Sequence, residues 1–152
     1  SLIKMEKLNF WEDKKLSDLN NEEWEALCDR CGKCCVIKLI DEDTDKLYYT
    51  NISCHLFDIK KCKCKNYNDR KKIVKDCIKL SPKNLDALKW LPNSCSYKLI
   101  HEGKNLPIWH PLVQGNRDLM EKGKHSVKDR VISEIKIKTK DIHKYITNWE
   151  NE

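Results

Sequence analysis

Four cysteine thiols lie within eight residues of this sequence, in the segment CDRCGKCC from Cys28 to Cys35. Two residues separate Cys28 from Cys31, two more separate Cys31 from Cys34, and Cys35 follows at once. Such spacing lets tight turns bring sulfurs onto one metal at about 2.3 Å. Disulfides, a zinc site, an iron–sulfur cluster and a redox or catalytic thiol all use closely spaced cysteines, so other features must decide between them.

The number of cysteines and the predicted compartment argue against disulfides. The chain has nine cysteines, an odd number that excludes complete internal pairing. Segment 1–10 has no apolar core of a signal peptide, and no segment approaches the roughly 20 apolar residues of a membrane span. We therefore expect a cytoplasmic protein without membrane contact, in a reducing compartment where thiol clusters usually bind metal.

The adjacent Cys34 and Cys35 set this segment apart from familiar metal motifs. Neighbouring α-carbons lie about 3.8 Å apart, and in extended backbone their side chains point to opposite sides. The pair is therefore expected either to serve two neighbouring sites or to divide into one ligand and one packing residue; a strained vicinal disulfide ranks last. A ferredoxin-type run would continue with three residues, a cysteine and a proline, which are absent.

The charge of the chain favours a solvated surface over a nucleic-acid interface. The net charge is +6 and 36% of residues are charged, but basic and acidic residues alternate along most of the sequence. Nucleic-acid binding is therefore a weaker hypothesis, based on net charge and the lysine-rich segment 60–75. Thiolate sites are anionic, and the cations that could balance them are Arg30, Lys33, Arg70 and Lys71.

No catalytic constellation stands out, and a redox or modifying enzyme that uses a metal cluster stays an open alternative. The order of residues does not suggest a Ser/His/Asp or Cys/His site, and four glycines leave little material for a phosphate-binding loop. Among the histidines, His55 directly follows a cysteine and His110 lies in the rigid-looking PIWHPL segment. Either could complete a metal shell, although packing or surface roles are favoured.

The first half of the chain predicts a helix followed by a hairpin. Asn20 and Glu23 have capping-box spacing, and Leu19 and Trp24 have that of a hydrophobic staple. The helix is predicted to continue past Cys28 as far as Gly32. Segments 36–40 and 46–53 then predict two strands joined by an acidic turn.

The second half predicts loops and short helices. Segment 54–77 is read as irregular backbone wrapped around a metal. Helices are predicted from Ser81 to Trp90 and from Ser94 to Gly103, followed by an extended loop over 105–116, whereas 126–138 is ambiguous between helix and strand. Apolar spacing after a Thr139 cap predicts a C-terminal amphipathic helix.

These elements predict a small single α+β domain, helix-rich, with a short β-hairpin and cysteine-rich metal-binding loops. We divide the sequence into an N-terminal extension over 1–20, a cysteine-cluster domain over 21–137 and the C-terminal helix over 138–152.

The stretch EEWEALCDRCGKCCVIKLIDEDTDKLYYTNISCHLFD closely resembles the YcgN family, part of the CxxCxxCC group described as zinc- or iron-chelating. The resemblance continues through CKCKNYNDRKKIVKDCIKL, WLPNSCSYKLIHEGKNLPIWHPL and SVKDRVISE, and covers about Phe10 to Glu134. Elements shared with the broader group are Cys28, Cys31, Cys34, Cys35, Cys64, Tyr67, Arg70 and Cys77. Cys54, Cys62 and Cys95 resemble positions of the narrower family.

The resemblance implies metal binding without a defined activity. Some larger proteins with a similar cluster are linked to lysine N-methylation and an iron–sulfur cluster. That activity is not carried over, because the chain shows no glycine motif for a cofactor.

From the residues and the resemblance together, we predict a ligand set split along the sequence. Its near part is Cys28, Cys31 and either Cys34 or Cys35, and its first distant partners are Cys64 and Cys77. The remaining candidates, which could complete a second site, are Cys54, Cys62 and Cys95. A three-cysteine run with a remote fourth favours an iron–sulfur cluster such as 4Fe-4S over zinc, because structural zinc prefers two paired knuckles.

Overall fold

The described part of the computed structural model, residues 9–74, 77, 80–84 and 90–149, combines short helices with two small sheets. The α-helices are α1 (Phe10–Asp13), α2 (Asn21–Leu27), α3 (Arg70–Ile73), α4 (Ser96–His101), α5 (Pro111–Gln114) and α6 (Asp118–Lys122). The strands are β1 (Val36–Ile40), β2 (Leu47–Ser53), β3 (Phe57–Asp58), β4 (Lys63–Cys64) and β5 (Ile132–Ser133). This arrangement confirms the predicted α+β class. None of the described helices is long and apolar enough to span a membrane.

The larger sheet has the strand order β1-β2-β5 and contains the predicted hairpin. Strands β1 and β2 are antiparallel, and β5 joins the other side of β2 in parallel. The register between β1 and β2 is interrupted between Val36 and Lys38, where an irregularity shifts the pairing. This irregularity lies directly after the cysteine segment.

Helix α2 begins as predicted but ends earlier. The Glu23 amide donates to Asn20 Oδ1 at 2.8 Å and the Asn20 amide donates to Glu23 Oε1 at 3.1 Å, which confirms the capping box. The predicted continuation to Gly32 is wrong, because Cys28 adopts an extended conformation after Leu27. The backbone beyond it is held in turns, and Asp29 Oδ1 accepts from the Cys31 amide.

The described part of the segment 54–77 is more regular than predicted. Strands β3 and β4 form a small antiparallel hairpin, and Asp58 Oδ1 accepts the amides of Lys60 and Lys61 in its turn. A 3-10 helix over Tyr67–Asp69 then leads into α3. The expectation of a structureless loop therefore failed, because an aspartate turn stabilises a hairpin within a lysine-rich sequence.

Of the helix predicted from Ser81 to Trp90, residues 85–89 lie outside the described part; Ser81 and Asn84 form an isolated bridge. The next helix starts later than predicted, with Cys95 rather than Ser94 at its N-cap. Its end is confirmed at Gly103, which has a φ of 75°. The Gly103 amide donates to Ile100 O and the Lys104 amide to Leu99 O, the Schellman pattern.

The structure differs from the predictions both for the loop over 105–116 and for the C-terminal helix. The proline-rich loop contains the helical turn α5, opened by His110 and closed by Gly115. The C-terminal stripe does not form an α-helix over the described residues, since Thr139–Tyr145 is a 3-10 helix and Ile146 is extended. Ile146 instead bridges Thr50 of β2, so pairing with the sheet edge prevails over helical periodicity.

Two hydrophobic clusters hold these elements together. The first contains Trp11, Leu16, Leu19, Trp24, Leu27, Leu91, Tyr97 and Leu106. The second contains Val36, Phe57, Cys62, Val127, Val131 and Trp149. Residues of the predicted N-terminal extension thus belong to the first cluster, whereas the hairpins and the C-terminal segment form the second.

Replacing Asn20 by Ala is expected to lower the free energy of unfolding by about 1 kcal/mol, because the Glu23 amide loses its acceptor. Asn66 is a matched control, since it occupies the N-cap of a 3-10 helix without a side-chain capping bond. Chemical denaturation of the two variants measures the difference. Equal effects of Asn20→Ala and Asn66→Ala would contradict the capping role.

Candidate metal centre

Two consecutive turns shape the segment from Cys28 to Cys34. Arg30 and Gly32 have φ values of 54° and 80°, so the backbone folds back after each of the first two cysteines. The Arg30 amide lies 3.4 Å from Cys28 Sγ, and the Lys33 amide lies 3.5 Å from Cys31 Sγ. Each sulfur thus faces the amide two residues further on. Such donors stabilise thiolate charge and influence the properties of a metal bound to it.

Asp29 and Arg117 stabilise the first turn through hydrogen bonds to its backbone. Asp29 is buried, with 4% of its surface exposed, and its carboxylate accepts from the Cys31 amide at 3.0 Å. Arg117 donates to the carbonyls of Asp29 and Arg30, and to Glu121 at 2.8 Å. These two residues were missed by sequence reasoning, because Arg117 is distant in sequence and Asp29 resembles an ordinary turn residue.

His110 joins the turn at Cys28 to the start of α4. Its Nδ1 accepts the Leu112 amide at 3.0 Å, so the proton is on Nε2. Nε2 lies 3.0 Å from Leu27 O and 2.8 Å from Ser96 Oγ. The residues preceding Cys28 and following Cys95 are therefore tied to one ring. His110 thus has the favoured packing role, with both ring nitrogens occupied by protein groups.

A first group of thiols, whose members influence one another electrostatically, consists of Cys28, Cys31, Cys34 and Cys95. Crowding of the Cys28 thiol by protein raises its pKa, although part of the residue surface is open, and the nearby Cys34, Asp29 and Cys95 act in the same direction. Burial also raises the pKa of Cys31, and the charge of Asp29 acts in the same direction to a smaller extent. Burial raises the pKa of Cys95 to about 11. A bound metal would hold these groups as thiolates and release their protons.

A second group of thiols gathers around the two hairpins. The Cys54 amide donates to Cys35 O at 2.7 Å, and Cys64 pairs with Phe57, whose amide donates to Cys54 O at 2.9 Å. Burial raises the pKa of Cys54 and that of Cys77, with Cys64 among the groups acting in that direction on both. Cys35, Cys54 and Cys64 therefore lie in one neighbourhood, and Cys77 lies close enough to Cys34, Cys64 and Cys54 for their charges to influence one another.

The adjacent pair Cys34 and Cys35 lies where the two groups meet. Their sulfurs are 4.0 Å apart at the end of a 3-10 turn over Lys33–Cys35. The contact with the Cys35 thiol, aided by the cation of Lys38, lowers the pKa of Cys34 to about 6. The same contact raises the pKa of Cys35. Cys34 is therefore the thiol of this pair that ionises first.

Lys38 supplies a partly buried cation beside both groups. Its Nζ donates to Lys33 O at 3.1 Å, to Cys34 O at 3.4 Å and to Val36 O at 3.0 Å. Burial lowers the pKa of this amine, while the charges of Cys34, Cys35, Cys31 and Cys77 act to raise it. Sequence reasoning missed Lys38, because its position depends on the irregularity in β1.

The four predicted neutralising residues have different surroundings. Lys33 is buried, and its Nζ lies 3.5 Å from Ser94 Oγ, whereas Arg30 is exposed at the turn. Arg70 stacks on Tyr67, with its guanidinium carbon 3.9 Å from the ring centre, and acts to lower the pKa of Cys77. Lys71 Nζ donates to Cys77 O at 3.0 Å. The distal cysteine therefore has cations close to it.

The structure does not bring Cys62 to either group. Its thiol is buried in the second hydrophobic cluster and donates to Arg30 O at 3.1 Å. Burial raises its pKa to about 11.

His55 lies beside Cys54 and approaches Glu134. His55 Nδ1 is 3.0 Å from Glu134 Oε2, which also accepts the His55 amide at 2.7 Å. Within the described residues, Cys54, His55 and Glu134 bring their ligand atoms within 4.8 Å of one another. Glu134 had not been predicted as part of a site.

These cysteines and their turns correspond to a known class of domain. Residues 27–96 match the family model CxxCxxCC, described as "Putative zinc- or iron-chelating domain", and this region contains all nine cysteines. The finding supports the predicted binding of a metal by the chain.

Relatives match over most of the chain, and they define its family. A UPF0260 protein of Shewanella denitrificans is 48% identical over 140 residues, 92% of this chain and 94% of the relative. A UPF0260 protein of a Caulobacter species is 49% identical over 126 residues, 83% and 78% of the two chains. One from Proteus mirabilis is 46% identical over 134 residues, 88% and 91%. The chain belongs to the UPF0260 family. No solved structure matches it.

Replacing Gly32 by Ala is expected to disturb the cysteine turn. An added Cβ would lie 2.5 Å from Val127 Cγ2 and 2.8 Å from Phe57 Cζ. Gly115→Ala is the matched control, since Gly115 has the same φ of 80° with nothing within 4 Å of an added Cβ. Strain costs about 1 kcal/mol at both positions, and overpacking about 2 kcal/mol more at Gly32. Equal losses in chemical denaturation would contradict this packing role.

His110 is expected to be neutral in the native protein and to carry its proton on Nε2. Burial lowers its pKa, although the charge of Asp29 acts in the opposite direction. Its contribution to the free energy of unfolding is therefore complete above the unfolded pKa of about 6.5 and is lost as the pH falls below it. Ring-nitrogen NMR checks this. A proton on Nδ1 at pH 7, or a midpoint above 6.5, would contradict it.

Proposed function

We propose that the chain is a cytoplasmic iron–sulfur protein in which clustered thiolates hold the metal. The CxxCxxCC match supports zinc or iron chelation, and the arrangement of the thiols favours an iron–sulfur cluster. The ligands proposed for this cluster are Cys28, Cys31, Cys34 and Cys95. Cys95 takes the place of the predicted partners Cys64 and Cys77, because His110 connects the backbone beside Cys28 to that beside Cys95.

The separation of the sulfurs carries this proposal. A tetrahedral zinc ion with Zn–S bonds of about 2.3 Å holds its sulfurs within about 3.8 Å of one another. Among the described residues, Cys54, His55 and Glu134 are the group of three ligand atoms that lies within 4.8 Å, and no three sulfurs do. A cluster of several irons is larger than a single ion and takes sulfurs that are further apart, so it does not require three sulfurs within this distance.

The surroundings of the sulfurs also fit an iron–sulfur centre. When bound, such a cluster accepts and releases electrons at a potential set by hydrogen bonds, charge and exposure. The amides of Arg30 and Lys33 would donate to ligand sulfurs. The ammonium group of Lys38 would offset their negative charge from a fixed position. These groups support electron transfer or a structural role for the cluster.

A zinc-binding interaction module is the second candidate, and one observation favours it. Cys54, His55 and Glu134 offer sulfur, nitrogen and oxygen atoms within 4.8 Å of one another. Zinc binds all three ligand types. This candidate places a single ion at the edge of the second thiol group, without a redox role.

Anaerobic purification followed by metal analysis tests the proposal. We expect iron and acid-labile sulfide, with visible absorption that bleaches on reduction. Cys28→Ala with Cys31→Ala is expected to remove the cluster that these cysteines ligate and to lower iron content and absorption at least about twofold, whereas Cys62→Ala, a change outside both thiol groups, retains them.

Other outcomes separate the alternatives. A colourless protein with stoichiometric zinc that His55→Ala removes would support the zinc module and contradict the iron–sulfur proposal. A chain that contains neither metal and whose nine thiols all react freely with a thiol reagent would contradict both.

A further inference from the structure

We infer that the chain builds two metal centres side by side, each with four cysteine ligands, which meet at Cys34 and Cys35. The first centre uses Cys28, Cys31, Cys34 and Cys95. The second uses Cys35, Cys54, Cys64 and Cys77. This inference rests on the proposed function and extends it from one cluster to two.

The two ligand sets are anchored to different hydrophobic clusters. Cys95 packs against the first hydrophobic cluster, which also contains Leu27, the residue before Cys28. Cys35 packs against the second hydrophobic cluster, which contains Phe57, the strand partner of Cys64. Two separate packed bodies therefore position the two sets, and the segment from Cys31 to Cys35 runs from one to the other.

Hydrogen bonds connect some of the distant members within each set, in the first set through the His110 ring. In the first, the His110 ring contacts Leu27 O and Ser96 Oγ, which fixes the backbone beside Cys28 relative to that beside Cys95. In the second, the Cys54 amide donates to Cys35 O, and the Phe57 amide donates to Cys54 O. The backbone beside Cys28 is thus connected to that beside Cys95, and Cys35 is connected to Cys54, independently of any metal.

The adjacent cysteines explain how two sets can share one turn. Their sulfurs lie 4.0 Å apart, so two centres ligated by one sulfur each would be near neighbours. Lys38 Nζ is held by the carbonyls of Lys33, Cys34 and Val36, between the segments that supply the two sets. A cation there offsets negative charge from both centres.

This assignment also accounts for the remaining cysteine. Eight cysteines fall into the two sets, whereas Cys62 is 1% exposed and donates to the Arg30 carbonyl. Its position suits a buried packing residue rather than a ligand. Cys62→Ala is therefore a control substitution within the same region.

Iron content in anaerobically purified full-length variants tests the two-centre arrangement. Cys95→Ala removes a ligand of the first set only, and Cys64→Ala one of the second only. We expect each to lower iron and sulfide per chain about twofold, the double variant to contain almost none, and Cys62→Ala to match the wild-type chain. Electron paramagnetic resonance of the reduced wild-type protein is expected to show two interacting spins, and each single variant one isolated spin.

The outcomes distinguish this inference from the proposed function. Iron for one cluster in the wild-type chain, with one isolated spin, would overturn the second centre and leave the iron–sulfur proposal standing. Two zinc ions per chain, each lost in one single variant, would overturn the iron–sulfur proposal and retain the two-site arrangement. Should either single variant lose its native circular dichroism, the wild-type iron content and spin spectrum decide the question.

Discussion

The crowding of cysteine thiols between residues 28 and 35 is the constraint on which the rest of this structure depends. Sulfurs placed so close together repel one another once ionised, and each needs amide donors or cations as compensation. Left-handed conformations at Arg30 and Gly32 turn the backbone so that amides face Cys28 and Cys31. Lys38 then places a cation where Cys34 and Cys35 meet the first strand. This arrangement is stabilised by the elements around it, namely helix α2, the hairpin of β1 and β2, and Arg117.

The packing of the domain follows from the same constraint. A chain with 39% hydrophobic residues and short elements forms two hydrophobic clusters, each next to one group of thiols. Small domains with limited cores often depend on metal ligation for stability. The metal we propose would therefore link the two hydrophobic clusters through the cysteine turn that passes between them. Folding and metal binding would then be coupled.

Local features of the fold were predictable from sequence, whereas features that depend on distant contacts were not. The capping box at Asn20, the hairpin from Val36 to Ser53 and the stop at Gly103 follow from nearby residues, and all three are confirmed. The C-terminal helix failed because its apolar spacing also suits a segment that pairs with Thr50. The proximity of Cys28 to Cys95 and the position of Lys38 depend on His110 and on a strand irregularity, which no local pattern encodes.

The central claim, that the clustered thiols hold iron–sulfur centres, is tested most directly by native mass spectrometry of the intact 18.1 kDa chain under anaerobic conditions. The account predicts a mass excess made of iron and sulfide in two equal increments, which disappears under denaturing conditions. An excess that corresponds to zinc, or a chain at the mass of its amino acids alone, would contradict it.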